Sequence, residues 1–130
     1  WVAPIRELLR ETVELTEAEA AFRWEIPDDA LTPKEKVELH ACLREALLNV
    51  RKHARATRVA VTGEMTEDGG FRCAVTDNGV GFEGDPLALR DRFGLRMIRE
   101  RAEKMGWIFS LSRRGGETAL ELKKPGGKRP

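Results

Sequence analysis

The sequence predicts an α+β fold, a two-layer α/β sandwich in which helices cover one face of a mixed β-sheet. Two observations support this class. The apolar residues change between helical and strand spacing along the chain, and the predicted order is helix, strand, long helix, two strands, an irregular segment, helix and two strands. A chain of 130 residues can bury one sizeable core, which favours a single domain.

The first third of the chain contains a short helix, a strand and a strong helix start. Residues 3–13 have helical spacing, and residues 21–26, AFRWEI, alternate like an edge strand. Three start signals then coincide, because Thr32 suits the N-cap, Pro33 the first helical position and Glu35 the acid of a capping box. We therefore expect a long helix to begin here.

This long helix is predicted to run to about Ala54 and to carry one apolar stripe. Its apolar residues recur three or four positions apart, which places them on one side of a helix. The stripe consists of Leu39, Cys42, Leu43, Ala46, Leu47 and Val50. It predicts the face that packs on the core.

The second half of the chain predicts two hairpins separated by a helix. Residues 57–65 and 70–77 are strand-like runs joined by the turn sequence TEDGG. A helix is predicted over about residues 94–104, with Gly106 as its C-cap, and residues 107–123 then form a closing hairpin. The expected buried face of that helix consists of Leu95, Ile98, Ala102 and Met105.

Composition excludes several classes of function. The 23 basic residues balance 22 acidic ones, so the net charge gives no reason to expect nucleic acid or an anionic membrane surface as a partner. No apolar run approaches the about 20 residues of a membrane span, and the N-terminus lacks the layout of a signal peptide. We expect a soluble, cytoplasmic domain. It begins with Trp1, which suggests a piece of a longer polypeptide.

The two cysteines show no metal-ligand spacing. Cys42 and Cys73 lie on different predicted elements, and an isolated cysteine usually behaves as a small buried hydrophobic residue. We predict that both are reduced, buried thiols without a catalytic role.

A column of polar residues lies beside the apolar stripe of the long helix. Glu45, Asn49 and Lys52 are spaced i, i+4 and i+7, which places them on one side of a helix at the rim of the core. Such a column is typical either of a solvated helix face or of a site built on that rim. The helix by itself does not decide between the two.

A second polar sequence, DNGVGF, follows directly on a predicted strand. Asp77 at the strand end could accept a hydrogen bond from an exocyclic amine, while Gly79 and Gly81 would allow the backbone to approach a flat ring or a phosphate. Taken alone, Asp-Asn-Gly is more typical of an ordinary turn.

Three motifs, in this order and spacing, resemble a known family. They are REALLNVRKHA at residues 44–54, DNGVGF at 77–82 and FGLRMIRERAEKMG at 93–106. Together they resemble the N box, G1 box and G2 region of the GHKL superfamily of ATP-binding domains. The closest resemblance is to the catalytic domain of bacterial two-component sensor histidine kinases, and it covers about residues 20–124. It implies a Bergerat-type ATP-binding fold.

The resemblance implies roles for the long helix. Asn49 matches the N-box residue that holds the Mg²⁺ bridging the triphosphate, which agrees with the preference of this cation for oxygen ligands. Glu45 matches the acid that polarises the attacking group. Lys52 and His53 match the basic end of the box, where a cation offsets phosphate charge.

The resemblance also implies how adenine is recognised. Asp77 matches the G1 aspartate that binds the adenine amine, and Gly79 and Gly81 match its permissive neighbours. Phe82 ends the same motif and is included in the expected nucleotide site.

The lid over the nucleotide departs from the family pattern. Residues 83–93 form one long polar segment without clear periodicity, and Gly94 and Leu95 match the lid's end, where helix N-terminal amides can face phosphate. The family usually has two glycines here, but only Gly94 is present, and Arg92 could contact phosphate or be a plain loop residue. Thr118 matches a family threonine, although the glycine before it is displaced.

The predicted function is that of the catalytic domain of a sensor histidine kinase. It would use Mg·ATP and phosphorylate a histidine on a dimerisation domain of the same parent polypeptide, which in turn serves a response regulator. Neither His40 nor His53 lies in the acceptor motif of such a domain. Two alternatives stay open: an anti-sigma-factor-type serine kinase, and a nucleotide-binding adaptor with impaired catalysis.

These interpretations predict how the chain is divided. Residues 1–19 would lead from the dimerisation domain, residues 20–124 would form the ATP-binding domain, and residues 125–130 would be a C-terminal tail. No membrane contact by this domain is expected. A membrane-anchored parent protein is compatible with the resemblance.

Overall fold

The computed structural model describes residues 1–80 and 93–127, with the side chains of His53, Ala54 and Phe93 excepted. Within these ranges it contains a five-stranded sheet in the order β1-β2-β3-β5-β4. The strands are β1 (Glu19–Trp24), β2 (Arg58–Met65), β3 (Phe71–Asp77), β4 (Ile108–Arg114) and β5 (Glu117–Lys124). The helices are α1 (Val2–Thr16), α2 (Pro33–Asn49) and α3 (Phe93–Met105), with a short 3₁₀ turn at Asp28–Ala30.

The sheet is mixed, as predicted. Strand β1 pairs parallel with β2, whereas the pairs β2–β3, β3–β5 and β4–β5 are antiparallel. The predicted edge strand is confirmed at the edge, although it begins and ends two residues earlier than the predicted 21–26. Alternation of buried and half-exposed residues along β3 shows that one face of the sheet carries the core.

The start of α2 is fixed by the predicted capping box. The Thr32 hydroxyl accepts a hydrogen bond from the Glu35 amide at 3.1 Å, and a Glu35 carboxylate oxygen accepts one from the Thr32 amide at 2.9 Å. The other carboxylate oxygen of Glu35 accepts a hydrogen bond from Lys124 Nζ at 2.6 Å. This ion pair ties the first turn of α2 to the end of β5.

The pKa of Glu35 reflects these partners. Partial burial acts to raise it, but the ammonium of Lys124 and the amide of Thr32 stabilise the carboxylate more strongly. The pKa of Glu35 is therefore lowered.

The core lies between one face of the sheet and the three helices. The apolar stripe predicted for α2 is confirmed, since all six of its residues are buried. Cys42 of the stripe and Cys73 of β3 are both buried free thiols, as predicted. Burial raises the pKa of Cys42 to about 12 and raises that of Cys73 as well, so neither thiol is reactive near neutral pH.

Helix α1 also packs on this core. Its residues Ile5, Leu9 and Thr12 are buried, and the helix is longer than the predicted residues 3–13. The guanidinium of Arg6 lies 4.6 Å from the ring centre of Phe22 on β1, which ties α1 to the edge strand as well. The boundary proposed at residue 19 stays a prediction.

None of the helices in the described ranges is both long and apolar enough to cross a bilayer.

Candidate functional site

Asp77 ends β3 on the face of the sheet that carries the core. It continues the buried alternation of Phe71, Cys73 and Val75, and only 8% of its surface is exposed. Its Oδ1 accepts a hydrogen bond from the Gly79 amide at 2.8 Å, so the chain turns sharply directly after the strand. The carboxylate is therefore held in place at the rim of the core, where a ligand could contact it.

Asn78 connects the end of β3 to the start of β2. Its Oδ1 accepts hydrogen bonds from the amides of Thr57 and Arg58 at 2.9 and 2.8 Å, and its Nδ2 donates to the Thr57 hydroxyl at 2.8 Å. No role of Asn78 was predicted from the sequence. Its only local signal was the preference of asparagine for turns, which does not identify a partner some 20 residues away.

The sheet register places three polar residues in one row. Thr118 of β5 lies opposite Asp77 of β3 on one side and opposite Arg113 of β4 on the other. Directly opposed residues share a face of the sheet, so all three side chains lie on the face of Asp77. Arg113 donates from Nη1 to the Thr118 hydroxyl at 2.7 Å and from Nη2 to the Gly79 carbonyl at 2.8 Å.

Glu45 and Asn49 form the polar column on α2 that the sequence predicts. The side chain of Glu45 is 24% exposed, and Asn49 is half-buried between the buried residues Ala46 and Val50. Asn49 donates from Nδ2 to the main-chain oxygen of Glu45 at 3.0 Å. The amide oxygen is the atom of Asn49 that could coordinate a cation.

The column does not continue regularly to Lys52. Residues Val50–Ala54 form a π-helical turn, whose wider winding changes the angular position of the residues after Asn49. Lys52 is exposed on this turn. His53 belongs to the same turn, but its side chain lies outside what the structure describes.

The start of α3 lies directly against the polar column. A Cβ atom added at Gly94 would lie 2.6 Å from Glu45 Oε1 and 3.3 Å from Asn49 Nδ2. A contact below 3 Å is too short for a real Cβ atom, so only glycine fits here without displacing a neighbour. Two motifs that are 45 residues apart in the sequence, at Asn49 and Gly94, therefore meet in the structure.

The remaining predicted site residues divide into two groups. Leu95 is buried, so its side chain belongs to the core and only its amide, in the first turn of α3, is available for a ligand. Residues 81–92 lie outside the described residues; they include the predicted site residues Gly81 and Phe82 and the lid segment up to Arg92. Their roles stay predictions.

The side chains of the site could coordinate a cation that prefers oxygen ligands. In residues 1–80 and 93–127 there is no group of three or more His, Cys, Asp or Glu side chains that could hold a metal ion. The carboxylate of Glu45 and the amide oxygen of Asn49 are hard donors, which fit Mg²⁺ when phosphates and water complete its shell. Glu45 and Asn49 thus provide two oxygen donors beside the first turn of α3, and Asp77 provides a buried acid at the end of β3.

Comparison with known proteins identifies related chains. Residues 34–128 match the family described as "Histidine kinase-, DNA gyrase B-, and HSP90-like ATPase". The nitrate/nitrite sensor protein NarQ of Escherichia coli (strain K12) is 35% identical over 119 residues, which are 91% of this chain and 21% of NarQ. The sensor histidine kinase LiaS of Bacillus subtilis (strain 168) is 33% identical over 105 residues, which are 80% of this chain and 29% of LiaS.

The fold is also that of a solved domain. The catalytic domain of histidine kinase ThkA superposes with a TM-score of 0.76 at 15% identity, over 95% of this chain and 91% of that domain. This likeness confirms the predicted α+β sandwich. The chain spans only 21% and 29% of the lengths of NarQ and LiaS.

Proposed function

Because the chain belongs to the histidine kinase-, DNA gyrase B- and HSP90-like ATPase family, as the catalytic ATPase domain of a sensor histidine kinase, we propose that it binds Mg·ATP and transfers the γ-phosphoryl group to a histidine. That histidine would lie on a dimerisation domain of the parent polypeptide, and the phosphoryl group would then pass to a response regulator. Use of ATP follows from the family, whereas the acceptor histidine and the metal are what we propose.

One observation carries the proposal. Gly94 of α3 lies against Glu45 and Asn49 of α2, which joins a carboxylate, a side-chain amide and a helix N-terminus in one place. The first turn of a helix has unpaired N–H groups that favour phosphate. An acid and an oxygen donor next to such amides would be suited to hold and activate a triphosphate terminus.

Asp77 would recognise the base. Its carboxylate is nearly buried and fixed by the Gly79 amide, so it can accept a hydrogen bond from the exocyclic amine of adenine without first being ordered. A hydrogen bond to a charged acceptor is worth about 1.5–3 kcal/mol, which corresponds to roughly tenfold to a hundredfold in affinity.

The residues of α2 would act on the phosphates and the acceptor. The amide oxygen of Asn49 fits Mg²⁺, which supplies charge neutralisation of the triphosphate when it is bound. A nitrogen of the acceptor imidazole attacks the γ-phosphorus, the bond to the bridging oxygen breaks and ADP leaves. Glu45 would accept the proton that the imidazole loses. Lys52 and His53 would contribute positive charge near the phosphates.

Two measurements test this function. In the first, titration calorimetry compares ATP binding to the wild-type chain and to Asp77→Ala, for which we expect about tenfold weaker binding or more. Thermal melting of both proteins serves as the folding control. Equal affinity of a folded Asp77→Ala variant would contradict the adenine assignment.

The second measurement concerns the acceptor. The chain is mixed with the dimerisation domain of its parent polypeptide and γ-labelled ATP, and the stability of the label in acid and base is then measured. A phosphohistidine is lost in acid and survives base, whereas a phosphoserine survives acid. Acid-stable label would favour the serine kinase, and nucleotide binding without any label would favour the adaptor.

A further inference from the structure

We propose that Arg113 is a positioning residue for base recognition: it fixes the turn that carries Asp77 and orients the hydroxyl of Thr118. The inference rests on the proposed function of Asp77 in binding adenine, and it assigns a role to a residue outside the three sequence motifs. Arg113 lies near the end of β4, 34 residues beyond Gly79 in the sequence.

The peptide groups on both sides of Gly79 are hydrogen-bonded. The N–H of Gly79 donates to Asp77 Oδ1 at 2.8 Å, and its carbonyl oxygen accepts from Arg113 Nη2 at 2.8 Å. The turn after β3 is therefore held from both sides. If the guanidinium is removed, the Gly79 carbonyl loses a charge-assisted hydrogen bond, and of these two contacts only that between the Gly79 N–H and Asp77 is left.

Arg113 also contacts Thr118. Its hydroxyl accepts a hydrogen bond from Arg113 Nη1 at 2.7 Å. A hydroxyl group has one donor and two acceptor positions, so this contact occupies an acceptor position and leaves the hydrogen to donate elsewhere. Since Thr118 lies directly opposite Asp77 on the same face, its hydrogen can be directed toward the Asp77 side of the row.

Both contacts depend on the shape of the guanidinium group. Its two contacts use two different nitrogens, which a planar, forked group can hold at fixed angles. An ammonium can carry the same charge but cannot reproduce that geometry. The two contacts therefore distinguish a positioning role from a simple supply of positive charge.

Arg114 provides a matched control. It is the next residue in β4, it is also exposed, and alternation along a strand directs it to the opposite face of the sheet. Replacing Arg113 or Arg114 by alanine removes the same charge at nearly the same place. Only the first change removes the contacts to Gly79 and Thr118.

The experiment compares the affinities for ATP and inosine triphosphate, which carries an oxygen where adenine has the exocyclic amine. Calorimetry on wild type, Arg113→Ala, Arg113→Lys and Arg114→Ala gives both affinities. For Arg113→Ala we expect about fivefold to tenfold weaker ATP binding and a smaller loss for inosine triphosphate, so the preference for ATP falls. Arg113→Lys should lie between the wild type and Arg113→Ala, and Arg114→Ala should match the wild type.

Three results would overturn the inference. An unchanged preference for ATP in Arg113→Ala, with wild type binding both nucleotides, removes the positioning role but leaves the proposed function standing. Equal losses for the two nucleotides that are restored by Arg113→Lys indicate a charge effect on the phosphates. Absence of any binding by wild type would end the proposed function and this inference together. Should Arg113→Ala fail to fold in a thermal melt, the comparison of Arg113→Lys with Arg114→Ala decides.

Discussion

Replacing Gly94 by alanine should separate catalysis from stability. The new Cβ atom would lie 2.6 Å from Glu45 Oε1, where an ordinary contact needs at least 3.4 Å. The carboxylate is the end of a flexible, 24% exposed side chain, so it can move by the required ångström more easily than the helices can. We therefore expect the cost to appear at the carboxylate and not in the fold.

The magnitudes follow from this geometry. Displacement of a catalytic group by about 1 Å can reduce the rate by roughly a hundredfold. Alanine is a better helix former than glycine by up to about 1 kcal/mol, so the stability of Gly94→Ala should be equal to or slightly above that of the wild type. The expected signature is a large loss of phosphoryl transfer at an unchanged or raised melting temperature.

The assay measures phosphoryl transfer to the dimerisation domain of the parent polypeptide, together with thermal melting. Gly127→Ala is the steric control, since a Cβ atom at that position meets nothing within 4 Å. A double-mutant cycle with Glu45→Ala isolates the pair, because Gly94→Ala should cause little further loss once the carboxylate is absent. Full activity of Gly94→Ala, or additive losses in the cycle, would refute the reasoning.

Two further predictions concern the stability of the fold. Lys124→Met should lower the free energy of unfolding by about 1–2 kcal/mol, which is less than the loss expected on breaking a fully buried ion pair, because Lys124 is 39% exposed. The neighbouring change Lys123→Met should lower it little. Because the pKa of Glu35 is lowered in the folded state, the ionised carboxylate stabilises the fold above the ordinary pKa of 4.5, and this stabilisation is lost as the pH falls. In urea denaturation, the difference in free energy of unfolding between wild type and Lys124→Met should therefore shrink below about pH 4.5. A difference that does not change with pH would contradict the role of this ion pair. Asn78→Ala should destabilise by about 1–2 kcal/mol, since two backbone amides lose their acceptor. Asn78→Asp keeps that acceptor and should lose less, so equal losses for both variants in the same denaturation assay would contradict the role of Oδ1.

The elements that the sequence predicted well are those specified by nearby residues. The capping box of Thr32 and Glu35 involves residues three positions apart, and the apolar stripe of α2 repeats within single helical turns. Both signals lie within a short segment, so the predictions made from them do not depend on how distant parts of the chain pack. The bounds of β1 were predicted two residues too late, because they depend on where β2 offers backbone hydrogen-bond partners.

The same distinction applies to the candidate site. The motifs indicated Glu45, Asn49, Asp77 and Gly94, and the structure brings Gly94 against the first two. The contact of Arg113 with Gly79 could not be predicted, because it depends on how β4, β5 and β3 align. The π-helical turn at Val50–Ala54 was also missed, since a change in helix winding leaves no clear mark in the apolar pattern.

The connection between β4 and β5 has a consequence for the evolution of the site. Gly115 and Gly116 both have positive φ angles, of 61° and 81°, as a two-residue hairpin turn requires. The tight turn pairs Arg114 with Glu117 and so places Arg113 opposite Thr118. Added residues could be taken up in a longer loop, but a slip of the β4–β5 pairing by one residue would turn Arg113 to the opposite face of the sheet and remove the row with Thr118. Relatives that keep this row should therefore keep this pairing, whatever the length of the connection.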